Sequence, residues 1–295
     1  MANATEQLHE FANGLDRRPI AEIATLLAQG QRDATQAPLD ASEQIAKASQ
    51  AMAHSIKHGA TLHYVAAGSS GLMAASDAME LGGTFSIPTT QIRIHMAGGL
   101  PTDANMPGGT EDETQQIAQD LAGVTADDTI IAVSASGTTP FTIAAARLAR
   151  VANASVIGIA NNANSELLNL STHPICLPTP PELLSGSTRM GAGTAQKIAL
   201  NMLSTLMAVQ LGHVHDGMMV NLTADNAKLL IRARGIVSTI AKVDQTTAKD
   251  ALDRAGGAVK PAILLALGAP DLSAANTLLT QHQGHLRPAM DHLKT

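Results

Sequence analysis

Four times between residues 62 and 170, a short apolar run breaks into a loop and then enters a helical stretch rich in small side chains. Leu62 to Ala67 ends in Gly68, Ser69, Ser70 and Gly71. Ile92 to Met96 leads through a loop of Gly, Pro and Asn to a helix predicted from about Glu111. Thr129 to Ser134 runs through Ala135, Ser136, Gly137, Thr138 and Thr139 to Pro140, and a helix follows as far as Arg150. Ser155 to Ala160 is followed by Asn161, Asn162 and a short helix from Ser165 to Leu170; a last strand is predicted over about His173 to Leu177. Strands that alternate with helices form a parallel sheet covered on both faces. In such sheets ligands bind beyond the carboxyl ends of the strands, where these loops gather.

The flanks read differently. Residues 4 to 57 show helical periodicity, with Ile20, Ile23, Ala24 and Leu27 on one face and Ile45, Ala48, Met52 and Ile56 on another. Asp40 and Glu43 fit a capping box opening the second helix. Past Gly186 the pattern is helical again: Thr188 to Leu211, Ala224 to Lys242, then Thr246 to Ala255, Lys260 to Leu267 and Leu272 to His282. The expected division is N-terminal helices over 1–57, a ligand-binding α/β domain over 58–215 and a C-terminal helical region over 216–295.

Composition narrows the chemistry. The chain of 295 residues is 45% hydrophobic, yet Phe11, Tyr64, Phe85 and Phe141 are its only aromatics, so its core must be built from Ala, Leu, Ile, Val and Met. Without aromatic stacking platforms, and with a net charge of −6 and no basic cluster, nucleic acid is not an expected partner. No apolar run is long enough to span a membrane, and no basic-then-apolar leader opens the chain, so a cytoplasmic location is expected. The lone Cys176 suits a reducing compartment and reads as a buried small hydrophobe. His213 with His215 and His282 with His285 have metal-like spacing but suggest no third ligand, so no metal or cofactor is expected.

The loop after the third strand carries the strongest chemical signal. Ser134, Ser136, Thr138 and Thr139 crowd ahead of Pro140, a residue suited to the first helical position. Hydroxyls and free N–H groups at a helix N-terminus attract anions, phosphate above all. Ser69 and Ser70 repeat the arrangement, and Ser187 and Arg189 offer a third cluster. None of these loops has a nucleotide-binding fingerprint or the elbow of a serine hydrolase. A sugar phosphate therefore fits better than a nucleotide. Of the carboxylates, charge alone makes Glu111 an N-terminal helix charge and Glu80 a surface residue.

Residues 128–140, DTIIAVSASGTTP, resemble the phosphate-loop signature of sugar isomerase (SIS) domains. Residues 186–189 (GSTR), 193–197 (GTAQK) and 200–205 (LNMLST), with 259–263 (VKPAI) and 282–287 (HQGHLR), resemble the N-acetylmuramic acid 6-phosphate etherases. The resemblance implies an SIS-type three-layer α/β fold, a parallel sheet flanked by helices, with a small C-terminal helical bundle. It also implies a homodimer with sites near the subunit interface, a phosphorylated amino sugar as ligand, and metal-free cleavage of its lactyl ether. By the same similarity Glu80, in the pattern Asp77-Ala78-Met79-Glu80, matches the general acid, and Glu111 the second catalytic carboxylate, expected to be the base. The chain departs from the family where an Arg is usual, at Leu72 and Thr138, and again at Gly191, at Leu8-His9-Glu10 and at Gly82-Gly83. Two other readings stay open: a non-catalytic sugar-phosphate sensor, and an aldose–ketose sugar phosphate isomerase.

Overall fold

The computed structural model describes residues 4–222 and 227–294 and divides into two compact units. The first comprises Met1–Met79 and Thr89–Ser204, the second Glu80–Pro88 and Thr205–Thr295.

The first unit is built on a five-stranded, wholly parallel sheet: β1 (Leu62–Ala66), β2 (Ile92–Met96), β3 (Thr129–Val133), β4 (Ser155–Ala160) and β5 (His173–Cys176), in the order β2-β1-β3-β4-β5. Between them run α1 (Ile20–Ala34), α2 (Gln36–Asp40) and α3 (Ser42–Lys57) upstream, α4 (Gly68–Phe85) after β1, α5 (Gln115–Asp120) after β2, α6 (Pro140–Val151) after β3 and α7 (Glu166–Leu170) after β4. The helix α8 (Gly191–Gln210) follows β5. The strand order reverses between β1 and β3, so their following helices leave for opposite faces of the sheet. That switch point is where open α/β sheets hold ligands.

Side-chain alternation sorts the two faces. Val65, Ile130, Ala132 and Val156 pack with Phe141, Ala145, Ala146 and Ala149 of α6. The alanines let the helix lie close to the sheet. Thr129 points to the other face, where Ser55 of α3 meets its hydroxyl at 2.8 Å. Tyr64, opposite Ile131 in the register, shares that face and is fully buried.

Several local expectations are corrected. No capping box forms at Asp40, because it is still helical as the last residue of α2 and its carboxylate accepts from Gln36 Nε2 at 2.7 Å. Glu111 opens a 3₁₀ turn, Thr110–Asp112, entered through left-handed Gly109; the α-helix starts only at Gln115. Cys176 is half-buried, and burial raises its thiol pKa.

On edge strand β2, His95 stacks on His63 of β1, with His63 Nδ1 3.0 Å from His95 Nε2. His95 Nδ1 faces Asp120 at 3.5 Å, so it carries a proton and leaves Nε2 to accept from His63 Nδ1–H. Both rings are held neutral: burial, and then the charge of His95, lowers the pKa of His63 to about 4, and burial also lowers that of His95. An unfolded His binds its proton near 6.5, so below that pH the unfolded chain takes up more protons than the folded one. The contribution is whole above about pH 6.5 and is lost as pH falls toward 4. Urea unfolding is expected to show roughly 1–2 kcal/mol less stability at pH 5 than at pH 7 from this pair, after allowing for solvent at the sheet edge, and His63→Leu should flatten that slope.

The second unit holds a two-stranded hairpin, β6 (Val214–His215) with β7 (Met218–Met219), and the helices α9 (Ala227–Ala241), α10 (Gln245–Arg254), α11 (Val259–Ala266), α12 (Leu272–Gln281) and α13 (Leu286–His292). The start expected for α9 at Ala224 lies outside the described residues. Val220, Val237, Ala248, Ala262, Ile263 and Ala275 form its core, all of them 0% exposed. Asp244 caps α10 by accepting from the amides of Thr246 and Thr247, and Asp271 caps α12 through Ala274. Sequence periodicity did not reveal the hairpin or α13.

Candidate active site

A cavity of about 290 Å³ opens in the first unit, at the carboxyl ends of β1 and β3. Ser69, Ser70, Ser134, Ser136 and Thr139 line it, and so does Glu111. Two helix N-termini form its floor. Left-handed Gly68 turns the chain from β1 into α4, and Thr139 precedes Pro140 at the start of α6.

Sequence chemistry explains the shape of the β3–α6 loop. Ser134 Oγ accepts from the Gly137 amide at 3.0 Å and lies 2.8 Å from Thr139 Oγ1 and 3.3 Å from Ser136 Oγ. Ser136 Oγ accepts from the Thr138 amide at 3.2 Å and from its hydroxyl at 3.1 Å. The hydroxyls thus fold the loop onto itself, while Thr139 gives no side-chain cap to α6. The first-turn N–H groups of that helix, with its positive dipole end, are left for an anion.

Gly137 is the pivot, at φ +71°. A Cβ there would collide with the Oγ and Cβ of Ser165 and come within 3.0 Å of Ala160 Cβ. Gly137→Ala is therefore expected to cost roughly 1–3 kcal/mol in urea unfolding, since both the backbone and the space refuse it. The displaced loop should also bind inorganic phosphate at least about tenfold more weakly, a change calorimetry would read.

The remaining expected residues fall outside the wall. Thr138 is exposed and bonds Ser136. Ser187 and Arg189 do not line the cavity, whereas their neighbours Gly186 and Thr188 do. Glu182 is buried at 6% exposure, and its two oxygens accept the Gly191 and Ala192 amides at 3.0 and 2.9 Å. That carboxylate occupies the N-terminus of α8 and delays the helix to Gly191. Glu80 is exposed on α4, in the second unit, and is not among the residues that line the cavity.

Thr5 and Glu6 also line the cavity, and nothing in the sequence pattern pointed to them. Asn162 holds Thr5: its Nδ2 donates to Thr5 Oγ1 at 3.1 Å and to the Ser136 carbonyl at 3.3 Å, while Ser185 Oγ donates to the Glu6 carbonyl at 3.4 Å. No lysine or arginine is among the lining residues, so hydroxyls, amides and helix dipoles are what this wall offers an anion.

Beneath the cavity, β1, α4 and α8 are tied at one carboxylate. Asp77, 4% exposed, accepts from Tyr64 Oη at 3.0 Å, Asn201 Nδ2 at 2.7 Å and Ser204 Oγ at 2.9 Å. Burial, and then Asp77, raises the Tyr64 pKa well above its ordinary value, keeping the phenol a donor.

Fold and site together define a phosphosugar-type α/β domain, and residues 27–161 match the SIS domain family. Near-full-length relatives make the assignment narrower. The N-acetylmuramic acid 6-phosphate etherase of Streptomyces avermitilis is 40% identical over 97% of this chain and 93% of its own length. That of Deinococcus radiodurans is 41% identical over 93% and 91%, and N-acetylmuramic acid 6-phosphate etherase 1 of Enterococcus faecalis is 35% identical over 96% and 95%. The chain belongs to the N-acetylmuramic acid 6-phosphate etherase family.

Proposed function

We propose that this chain is a carbon–oxygen lyase that converts N-acetylmuramic acid 6-phosphate and water to N-acetylglucosamine 6-phosphate and D-lactate. The observation that carries the reading is the hydroxyl-lined cavity at two helix N-termini with the Glu111 carboxylate on its wall. The phosphate sits against Ser69, Ser70, Ser134, Ser136 and Thr139, where N–H groups and dipoles favour an anion. Thr138, Ser187 and Arg189 border the site.

In the open-chain aldehyde, Glu111 takes the C2 proton, which the adjacent carbonyl acidifies. The C2–H electron pair passes into the carbonyl as an enolate, which then collapses to the C2=C3 double bond as the C3–O bond breaks and Glu80 protonates the departing lactate oxygen. Water then adds, its hydroxyl to C3 and a proton to C2. One carboxylate must be ionised and the other protonated, a division set by environment.

Glu80 is not on the wall of its own chain's cavity. The reading therefore includes a homodimer in which Glu80 serves the partner's cavity. Leu72 and Met79 support it: they lie seven residues apart on one face of α4, 38% and 61% exposed, as an apolar strip for a second copy. A cytoplasmic location belongs to the same proposal. Among the described residues no helix is long and apolar enough to cross a membrane.

The test is D-lactate release from N-acetylmuramic acid 6-phosphate by the purified chain, with light scattering for its mass. Stoichiometric lactate from a dimer is the expected result. A folded protein that binds sugar phosphates and releases none would sink the assignment.

A further inference from the structure

The second unit contains a cavity of its own, about 500 Å³, within the range of small-molecule sites. Lys260, in the first turn of α11, lines it. So do Gly256 and Gly257, left-handed residues at which an added Cβ would meet nothing within 4 Å. Among the described residues no aspartate or glutamate lines it.

Lys260 is 6% exposed. Its ammonium has three donors, and among the described residues it has one acceptor, the Gly284 carbonyl at 2.8 Å. Burying an ammonium costs several kcal/mol unless opposite charge and hydrogen bonds compensate. A carbonyl of a turn could be held by a neutral donor at far less expense. His213 feels the Lys260 ammonium and His285, and neither histidine brings negative charge. Buried His213 Nδ1 has no partner among the described residues, and burial and then Lys260 lower its pKa to about 4. The first turn of α11, an eight-residue helix capped by Ala258 without a side-chain bond, adds a positive dipole end to the same wall.

We propose that this cavity is a second ligand site, taking a small oxyanion, a carboxylate or a phosphate ester, on the Lys260 ammonium. The ligand would supply the negative charge that the described residues around Lys260 do not, and the open glycine backbone lets it approach closely. None of its lining residues is shared with the cavity at the ends of β1 and β3.

Lysine labelled with 13C at Cε in the full chain tests this directly, because the Cε resonance follows protonation of its own Nζ. Lys260→Arg, which keeps the charge, identifies the signal by its loss. Burial lowers the Lys260 pKa to about 8, so its titration stands apart from those of solvated lysines near 10.4. Acetate and inorganic phosphate are added separately, with sodium chloride at matched ionic strength as control. A saturable shift of this resonance is expected with at least one of them, with the titration midpoint rising by about one pH unit where the anion binds the charged form tenfold better. A response to phosphate alone marks a phosphate ester as ligand, and a response to acetate alone a carboxylate. A resonance unmoved by both, or moved equally by chloride, overturns the proposal.

Discussion

Glu111→Gln and Glu80→Gln are each expected to lower kcat for lactate release by about 10²–10⁴, the range for loss of a positioned acid or base. KM should change far less, because neither carboxylate is needed to hold the phosphate. The two roles should separate in solvent exchange. Glu111→Gln should abolish exchange of the C2 proton with deuterated water, whereas Glu80→Gln should leave exchange in place and block departure of lactate. Mixing the two inactive variants after dissociation gives the sharper result. If Glu80 serves the partner's cavity, half of the reassembled dimers are mixed, and each contains one site with both carboxylates intact. Recovery of about a quarter of the wild-type rate is then expected from random pairing of protomers. No recovery, from dimers shown to have exchanged, would place both carboxylates in one chain's site and refute the arrangement across the interface.

What the sequence reveals of this molecule depends on how local the physics is. The strand runs were legible because β1, β3 and β4 are almost wholly buried and so read as unbroken apolar stretches. The β3–α6 loop was legible because four hydroxyls and a proline within seven residues have few uses besides an N-terminal anion loop. Glu111 was placed in the right loop and the wrong conformation, since the left-handed turn at Gly109 leaves no periodic trace. Contacts between distant segments left no signal at all. Thr5 reaches the cavity through Asn162, 157 residues away, and Glu182 caps α8 from a stretch that reads as loop. The assignment of residues 80–88 to the second unit is equally silent, because its boundary between Met79 and Glu80 falls inside a continuous helix.

Asp77 shows how a motif can be read for chemistry while part of it serves architecture. It precedes Glu80 by three residues, and Asn201 and Ser204 belong to the stretch on α8 that most resembled the etherases. The three meet in one buried cluster completed by Tyr64. Asp77→Ala removes the single acceptor that these three donors share and leaves a phenol, an amide and a hydroxyl to be desolvated without it. A loss of about 3–5 kcal/mol is expected in urea unfolding, a large part of a domain's total stability. Asp77→Asn keeps the shape and one acceptor oxygen, so it should cost about half as much. Tyr64→Phe removes one donor and leaves the carboxylate satisfied by the other two, at roughly 1 kcal/mol. The order Ala, Asn, Phe would show that the cluster is held by the acceptor at its centre. Equal costs for Asp77→Ala and Tyr64→Phe would instead mean that packing around the ring, and not the carboxylate, joins β1 to α4 and α8. Because Ser69 and Ser70 lie in the first turn of α4, loosening this anchor should also blur the phosphate site, raising KM for the phosphosugar in Asp77→Asn while the Glu111 chemistry on bound substrate continues.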